Sequence, residues 1–500
     1  MKIELKQHKS APSQRALQTI SHLIILLPQA CLKAKTKKTW PTLPYGEILQ
    51  QRLKRGGDAS AILTTDLPNK ASTHVTLSGI KDDLSRFELL TLARKLVAPH
   101  LAQNPSHIAI TAAGFEDEET TTPLITAVVA ALLAASSEMP SFKSKAAKPS
   151  KLRTIQLLGI KKRIDFSRTH AEAAGNNLAR QLTTLPPNEL TPALYRKRIS
   201  KLAKAHGWKM TFLDQKTLKR KKAGAFLAVC QGSSEHDAGI VHLRYTPKTT
   251  RRKQTPLALV GKGICFDTGG TNLKPAQYMH GMHEDMQGSA VALGTFLTLS
   301  QLKVPYVVDC WLALAQNHIG PNAYKQNDVI TASNGVTIEV MHTDAEGRMV
   351  LADTLVQAAR LKPTLIIDYA TLTGACHYSL SARYSGGFTN RDQLIDEIIT
   401  AGRNSGERVW PFPIDKDFDD ELKSNVADVK QCSLGGEADH ILASRFLQRF
   451  VGDTPWLHLD LSSGNSKGGL AHIPTDITGF GVSFTTQLLF DNNVLTKVKG

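Results

Sequence analysis

Seven consecutive residues carry the densest chemistry of this 500-residue chain: His342-Thr343-Asp344-Ala345-Glu346-Gly347-Arg348. Two carboxylates stand two residues apart, with a guanidinium two further on. Two other groups precede them. Lys262, Asp267 and Lys274 lie on the glycine-rich stretch Gly261 to Pro275, and Asp285 sits in His280-Gly281-Met282-His283-Glu284-Asp285-Met286. Together they offer four acids (Asp267, Asp285, Asp344, Glu346), two lysines and an arginine. Hard oxygen donors in this number can hold a pair of divalent cations, the arrangement that activates water and polarises a carbonyl. One amine among such ligands must be neutral to coordinate, and the metal drives off its proton. A free arginine and a second lysine then remain to stabilise a developing oxyanion. The competing reading is structural: Asp344 caps a helix, Glu346 sits in its first turn, and the lysine-aspartate stretch is a solvated loop. His283-Glu284 does not open a zinc helix, because Gln287 stands where H-E-x-x-H needs its second histidine.

Periodicity indicates what must position these groups. Val336 to Val340 alternates as a strand, and Met349 to Ala359 has the apolar spacing of a helix packed on a sheet. Leu257 to Val260 reads as a strand leading to Lys262 and Asp267. Both acid-bearing loops are thereby expected at strand carboxyl ends, where open α/β sheets place ligands. Further strands are expected at Phe226–Val229, Ile240–Tyr245, Val304–Ala313, Leu365–Tyr369 and Leu457–Leu461. Upstream, His22–Leu27, Thr73–Leu77 and His107–Ala112 read as strands, and Phe87–Leu96 and Pro123–Ala135 as helices. That alternation predicts an α/β unit with a largely parallel sheet. It holds no phosphate-cradling glycine motif. Met139 to Arg163 is basic and proline-broken, with one strand-like insert at Thr154–Leu158, and reads as a linker. Helices follow over His170–Thr183 and Pro192–His206. The expected division is an N-terminal α/β domain with its basic linker over 1–165 and a catalytic domain over 166–500.

Hydrophobic content of 41% and charged content of 21% describe an ordinary globular chain. The net charge of +17 is less ordinary and favours polyanionic partners. Eleven Lys and Arg lie between Arg196 and Lys222, with further runs at Lys33–Lys38, Lys143–Arg163 and Lys248–Lys253. These runs lack interleaved aromatics and no helix-turn-helix pattern accompanies them. They are solvated faces or a phosphate-led, salt-dependent surface for nucleic acid. Six scattered cysteines without a C-x-x-C pair indicate free thiols in a reducing compartment. No apolar run approaches membrane-spanning length, and Leu23–Leu27 reads as a core strand rather than a signal segment. A cytoplasmic protein is expected.

The motifs, taken in order, resemble those of the leucyl aminopeptidases, the M17 cytosol aminopeptidase family of two-metal exopeptidases. The 342–348 segment matches N-T-D-A-E-G-R at six of seven positions. Val260 to Gly270 followed by Leu273-Lys274-Pro275 resembles V-G-K-G-I-x-F-D-[ST]-G-G-x-x-x-K-P, Met282 to Met286 resembles M-x-x-D-M, and Ala370 to Ala375 matches A-T-L-T-G-A. Asn177 to Leu182, Pro187 to Pro192, His458-Leu459-Asp460 and Pro474 to Val482 extend the likeness over roughly 170 to 485. The resemblance implies a C-terminal αβα sandwich with a mixed sheet, a homohexamer, and hydrolysis of the amino-terminal residue of peptides. It implies that Lys262, Asp285, Asp267 and Glu346 hold one Zn²⁺ or Mn²⁺ and that Asp267, Asp344 and Glu346 hold a second. Lys274 is then directed at the scissile carbonyl. Arg348, with backbone at Ala345, Gly347 and Leu372, binds a bicarbonate that serves as general base. Met282 and Thr371 match positions of the first specificity pocket. A DNA-binding multimer, with or without peptidase activity, is the alternative function that the same family and the basic charge imply. Three departures stand out. His342 replaces the asparagine of the signature, His283 and Glu284 alter the loop before Asp285 with Gly281 where an acidic or bulky residue is common, and Ser462 to Gly469 is small and polar where the family carries a pocket methionine.

Overall fold

The structure is a computed structural model that describes residues 3–33, 40–56, 62–145, 148–248 and 256–498. The chain forms two compact units, 1–173 with 468–475, and 174–467 with 476–500. Among the described residues no helix is long and apolar enough to cross a membrane. All six cysteines are free, and five of them are buried. Most of the basic runs at 33–38 and 248–253 lies outside the described residues.

The first unit is built on a six-stranded sheet in the order Glu4–His8, Thr154–Leu158, His107–Ala112, His22–Pro28, His74–Ile80, Leu63–Asp66. Every pairing is parallel except that of the Leu63–Asp66 edge. The apolar run of the His22–Pro28 strand is explained by burial on both faces. Ile24 and Leu26 enter one core with residues of the helices Arg86–Ala102 and Glu118–Ala135, while Leu23, Ile25 and Leu27 join Leu49 of the helix Gly46–Gly56 in another. A strand covered on both sides needs an unbroken hydrophobic run rather than alternation. Thr154–Leu158, expected as an insert in a linker, instead pairs on both sides inside this sheet.

The second unit carries an eight-stranded mixed sheet in the order Val409–Pro411, Ser385–Thr389, Trp456–Asp460, Leu365–Ala370, Leu257–Asp267, Val308–Asn317, Gly239–Tyr245, Lys209–Asp214. The four central strands are parallel, and antiparallel pairings flank them. Helices cover both faces. Gly261 lies against Ser289 of the helix Gln287–Gln301, and Ala258 and Val260 share a core with Met349 to Ala358 of the helix Glu346–Ala359. This is an αβα sandwich.

Three local expectations are corrected. The strand expected at Leu257–Val260 continues to Asp267, so Lys262 stands within the central sheet and not on a loop after it. The strand leading to Asp344 is short, Thr337–Glu339, and belongs to a satellite three-stranded sheet with Val329–Thr331 and Val429–Lys430. Phe226–Val229 is part of a helix, Gly224–Cys230. A four-residue apolar run does not distinguish a buried strand from a buried helix. Here Asp353 accepts the Phe226 N–H at 2.8 Å, satisfying a donor of the first helical turn.

Candidate active site

The central strand Leu257–Asp267 brings two of the groups. Lys262 is buried within it, and Asp267 is its last residue. The following loop turns back through Gly269, whose φ of +87° favours glycine and where a Cβ would lie 3.0 Å from Asp344 Oδ1. That turn returns Lys274 to the acids. Asp285 enters from the turn preceding the helix Gln287–Gln301. Asp344 and Glu346 arrive at the start of the helix Glu346–Ala359, whose orphan N–H groups favour negative charge.

A second set of residues locks these loops together. Thr343 Oγ1 donates to Gly269 O (2.6 Å), while Asn272 accepts the Thr343 N–H (2.8 Å) and its own N–H reaches Thr343 Oγ1 (2.8 Å). Asn317 Nδ2 donates both to Asp267 Oδ1 (2.8 Å) and to Thr343 O (3.0 Å), and the Tyr324 hydroxyl donates to Thr343 O (2.8 Å). Gln431 braces the other flank, accepting the His342 N–H (3.1 Å) and donating to Ala345 O (3.0 Å). Thr343 lay in plain view inside the signature. Asn317, Tyr324 and Gln431 carried no local signal, since their role depends on neighbours remote in sequence.

The electrostatics show a site short of positive charge. Lys262 Nζ lies 2.8 Å from Asp285 Oδ1, 2.9 Å from Glu346 Oε1 and 2.9 Å from Thr371 O. Lys274 Nζ lies 3.0 Å from Asp267 Oδ2 and 2.5 Å from Asp344 Oδ1. Two ammonium groups thus face four carboxyls. Burial, reinforced by the Asp267 charge, pushes the Glu346 carboxyl up to about 8. Burial with Asp267 and Glu346 pushes Asp344 up to about 7, and burial pushes Asp285 up to about 6 against the pull of Lys262. Burial opposes charge on Lys262, yet Asp285, Glu346 and Asp267 outweigh it and hold the ammonium well above its ordinary value. Lys274 shifts upward in the same way.

These residues fit divalent cations. Oxygen atoms of Asp267, Asp344 and Glu346 converge within 4.8 Å of one another. Both Glu346 oxygens and Asp285 Oδ2 are buried without a hydrogen bond, the Lys262 contact to Glu346 being an ion pair off hydrogen-bond geometry. Buried carboxylate oxygens left this way are costly unless a cation takes them. Gly347 has its own steric reason: a Cβ there would lie 2.6 Å from Lys262 Cε and 2.7 Å from Nζ.

The groups open into one cavity of about 790 Å³, lined among others by Lys262, Asp267, Lys274, Met282, Asp285, His342, Asp344, Ala345, Glu346, Arg348, Thr371 and Leu372. Thr371 Oγ1 also donates to Asp285 Oδ1 at 2.6 Å. The Leu372 N–H donates to Asp460 Oδ1 at 3.0 Å. His342 accepts the Asp344 N–H on Nδ1 at 3.3 Å, so the ring is held by backbone while lining the cavity. Burial, then the Lys274 charge, lowers its basicity. Arg348 departs from the expectation of a free guanidinium. Its Nη2 pairs with both oxygens of Asp439 (2.8 and 2.9 Å), and its Nη1 donates to Gln431 O (3.1 Å). Asp439 was not foreseen, for it begins a helix about ninety residues downstream.

Known proteins place the chain in a family. Residues 177–486 match the catalytic domain of the cytosol aminopeptidase family. A probable cytosol aminopeptidase of Acidovorax sp. (strain JS42) is 41% identical over 335 residues, 67% of this chain and 66% of that protein. One from Stutzerimonas stutzeri (strain A1501) is 40% identical over 363 residues, 70% of this chain and 71% of the relative. The chain therefore spans about two thirds of the length of the relatives it matches. Among solved structures, a tomato leucine aminopeptidase mutant superposes with a TM-score of 0.86 at 27% identity, covering 98% of this chain and 97% of its own. The bottromycin maturation enzyme BotP, in complex with Mn, superposes with a TM-score of 0.80 at 26% identity, covering 94% and 99%. On the family match alone, the chain belongs to the cytosol aminopeptidase family, M17.

Proposed function

We propose that this protein is a metal-dependent aminopeptidase that hydrolyses the amino-terminal residue of peptides. The observation that carries the reading is the convergence of buried carboxylate oxygens, four of them without a hydrogen bond, beside Lys262 and Lys274. Lys262, Asp267, Asp285 and Glu346 would hold one divalent ion, and Asp267, Asp344 and Glu346 the other. Such ions would supply an activated water, polarise the scissile carbonyl and take the free α-amine of the substrate, which would confine the enzyme to amino termini. Oxygen donors with one amine suit either Zn²⁺ or Mn²⁺.

The chain's own groups complete the chemistry. Lys274 is the more open of the two lysines, its side chain 14% exposed against 4% for Lys262. It is the donor placed to stabilise the developing oxyanion. Arg348, with the backbone of Ala345, Gly347 and Leu372, is the site for bicarbonate. The fit there is narrower than for the metals: Nε is the guanidinium nitrogen buried without a partner, so the anion uses that donor or displaces Asp439. Met282 and Thr371 wall the pocket for the first side chain, and Ser462 and Asn465 place polar groups along the same cavity. A cytoplasmic homohexamer is the assembly and location that family membership favours.

The reading is tested by hydrolysis of leucyl and other aminoacyl arylamides after chelation and metal add-back. Activity should vanish and return with Mn²⁺ or Zn²⁺. A folded preparation with no metal-dependent turnover of any free-amine substrate overturns it. The DNA-binding alternative has one supporting observation. Lys197, Arg198, Lys201 and Lys204 are exposed on the helix Pro192–His206, beside exposed Lys216, Lys219, Arg220 and Lys222. Duplex affinity should then fall steeply with salt; a flat response or no low-salt binding dismisses it.

A further inference from the structure

Outside the active site, a compact group of metal-ligating side chains lies in the first unit. His22 and His74 open neighbouring parallel strands and are register partners, so both rings stand on one face. His100 reaches that face from the last turn of the helix Arg86–Ala102. The three ring centroids are 5.1, 5.4 and 5.9 Å apart, and Nδ1 of His22 approaches Nδ1 of His100 to 3.1 Å. Imidazole nitrogens bound to one tetrahedral Zn²⁺ at about 2.0–2.1 Å lie roughly 3.4 Å apart, with ring centres about 5 Å apart. The ring centroids of the trio have that spacing before any ion is considered.

The outer partners orient the lone pairs inward. Asp66 Oδ1 lies 2.7 Å from His74 Nδ1 and accepts its proton, leaving Nε2 as a lone pair that is buried with no hydrogen-bond partner. The Thr76 hydroxyl donates to Leu96 O (3.2 Å), so it accepts from His100 Nε2 (2.8 Å) and leaves His100 Nδ1 as a lone pair too. Carboxylate and hydroxyl partners on the outer nitrogens are the usual support of metal-bound histidines. The carboxyl end of a helix, where His100 sits, favours positive charge. As a purely structural cluster, the same arrangement strands the His74 Nε2 lone pair, a buried acceptor left without a donor.

We propose that His22, His74 and His100 form a second metal site, for a borderline divalent cation of the Zn²⁺ class, with Asp66 and Thr76 orienting two of the rings. On binding, the proton now shared between His22 and His100 moves to His22 Nε2. Closing the trio on one ion takes a side-chain rotation, since the acid trio is the group whose ligand atoms already converge within 4.8 Å among the described residues. The site is independent of the aminopeptidase reading.

The test uses the full chain, stripped by chelator and loaded with Cu²⁺ under pulsed EPR. Remote imidazole nitrogens modulate the echo, whereas an oxygen-rich site with one lysine amine does not. Wild type should show modulation from more than one imidazole, displaced by Zn²⁺ and lost in His74→Gln. Asp66→Asn changes an exposed side chain and should leave the fold intact while weakening Zn²⁺ binding about ten- to hundredfold. No imidazole modulation in wild type overturns the proposal. So does modulation and Zn²⁺ affinity unchanged in both variants, which would place the ion on other histidines, such as His342 of the active-site cavity.

Discussion

The six-stranded sheet of the first unit and the eight-stranded sheet of the second bury their central strands in the same way, between helices, but differ in what they bury beside the hydrocarbon. Among the described residues of the first unit, no Asp, Glu, Lys or Arg is buried; the polar interior is His22, His100 and a few hydroxyls. The second unit buries Arg180, Lys262, Asp267, Asp285, Asp309, Glu346, Arg348, Asp353, Asp368, Glu407, Arg445 and Asp460. Burying charge costs several kcal/mol per ion unless it is paired and hydrogen-bonded. Within the second unit the charges divide again. Asp309 is met by Arg244 at 2.8 Å and His242 at 2.6 Å, and Asp353 by the N–H groups of Phe226 and Ser333 at 2.8 and 2.7 Å. Those acids are satisfied and brace the fold. Glu346, with both oxygens lacking a hydrogen bond, is not. Burial of a charge therefore does not mark a site by itself; burial without satisfaction does.

The sharpest break of the contrast is Glu346→Gln. It removes a carboxylate proposed to hold both ions, so peptidase activity should fall to background while far-UV circular dichroism stays native. Because the carboxyl is already pushed up to about 8 by burial and Asp267, the metal-free variant should melt no lower than the metal-free parent. Near-normal turnover would show that the ligand assignment is wrong. Lys274→Ala should cost about 10²–10³ in kcat with a smaller change in KM, the range found when one oxyanion donor is lost. A pure KM effect would reassign Lys274 to substrate binding. In the first unit Leu26→Ala should do the reverse. A fully packed leucine in the 22–28 strand loses about 2–5 kcal/mol, read by urea unfolding, with kcat per folded molecule unchanged.

How far these contrasts were legible depended on range. The acids, both lysines and Arg348 were visible because each sits in a short run of unusual composition, and the structure lines all of them along one cavity. The helix after Arg348 was visible through its period. What failed was whatever depends on partners distant in the chain. Lys262 was expected on a loop because glycines 261 and 263 suggest one. They instead let the 257–267 strand pass close to Ser289, where a Cβ on Gly261 would lie 2.4 Å from its Cα. Phe226–Val229 was too short for its period to be read. The Arg348–Asp439 pair joins elements about ninety residues apart with no local pattern to announce it. The His22, His74 and His100 cluster was equally silent, as it is made by strand register and a helix end.

The two units should also respond to pH in opposite directions once metals are chelated. Burial, then the neighbouring His22 and His74, lowers His100 to about 3, from an ordinary value of 6.5; Asp66, on the far side of His74, is the acid facing the cluster. Below 6.5 the unfolded chain binds a proton that the folded unit refuses. Stability of the first unit is then present above pH 6.5 and lost as pH falls towards 3, by on the order of a few kcal/mol. In the second unit His458 is buried, which opposes its charge, but Asp368 at 2.7 Å outweighs burial and raises it. There the folded unit holds the proton longer, so the contribution is full below pH 6.5 and lost as pH rises through the folded value. The raised carboxyls of Glu346, Asp344 and Asp285 act in the same direction. Hydrogen exchange, corrected for intrinsic rates, should show the 22–28 and 74–80 strands losing protection on acidification and the 456–460 strand losing it on alkalinisation. His100→Asn should flatten the first slope and His458→Asn the second. Slopes of the same sign in both units would mean that their buried titratable groups do not set the pH response, and the contrast between the two sheets would reduce to the active site alone.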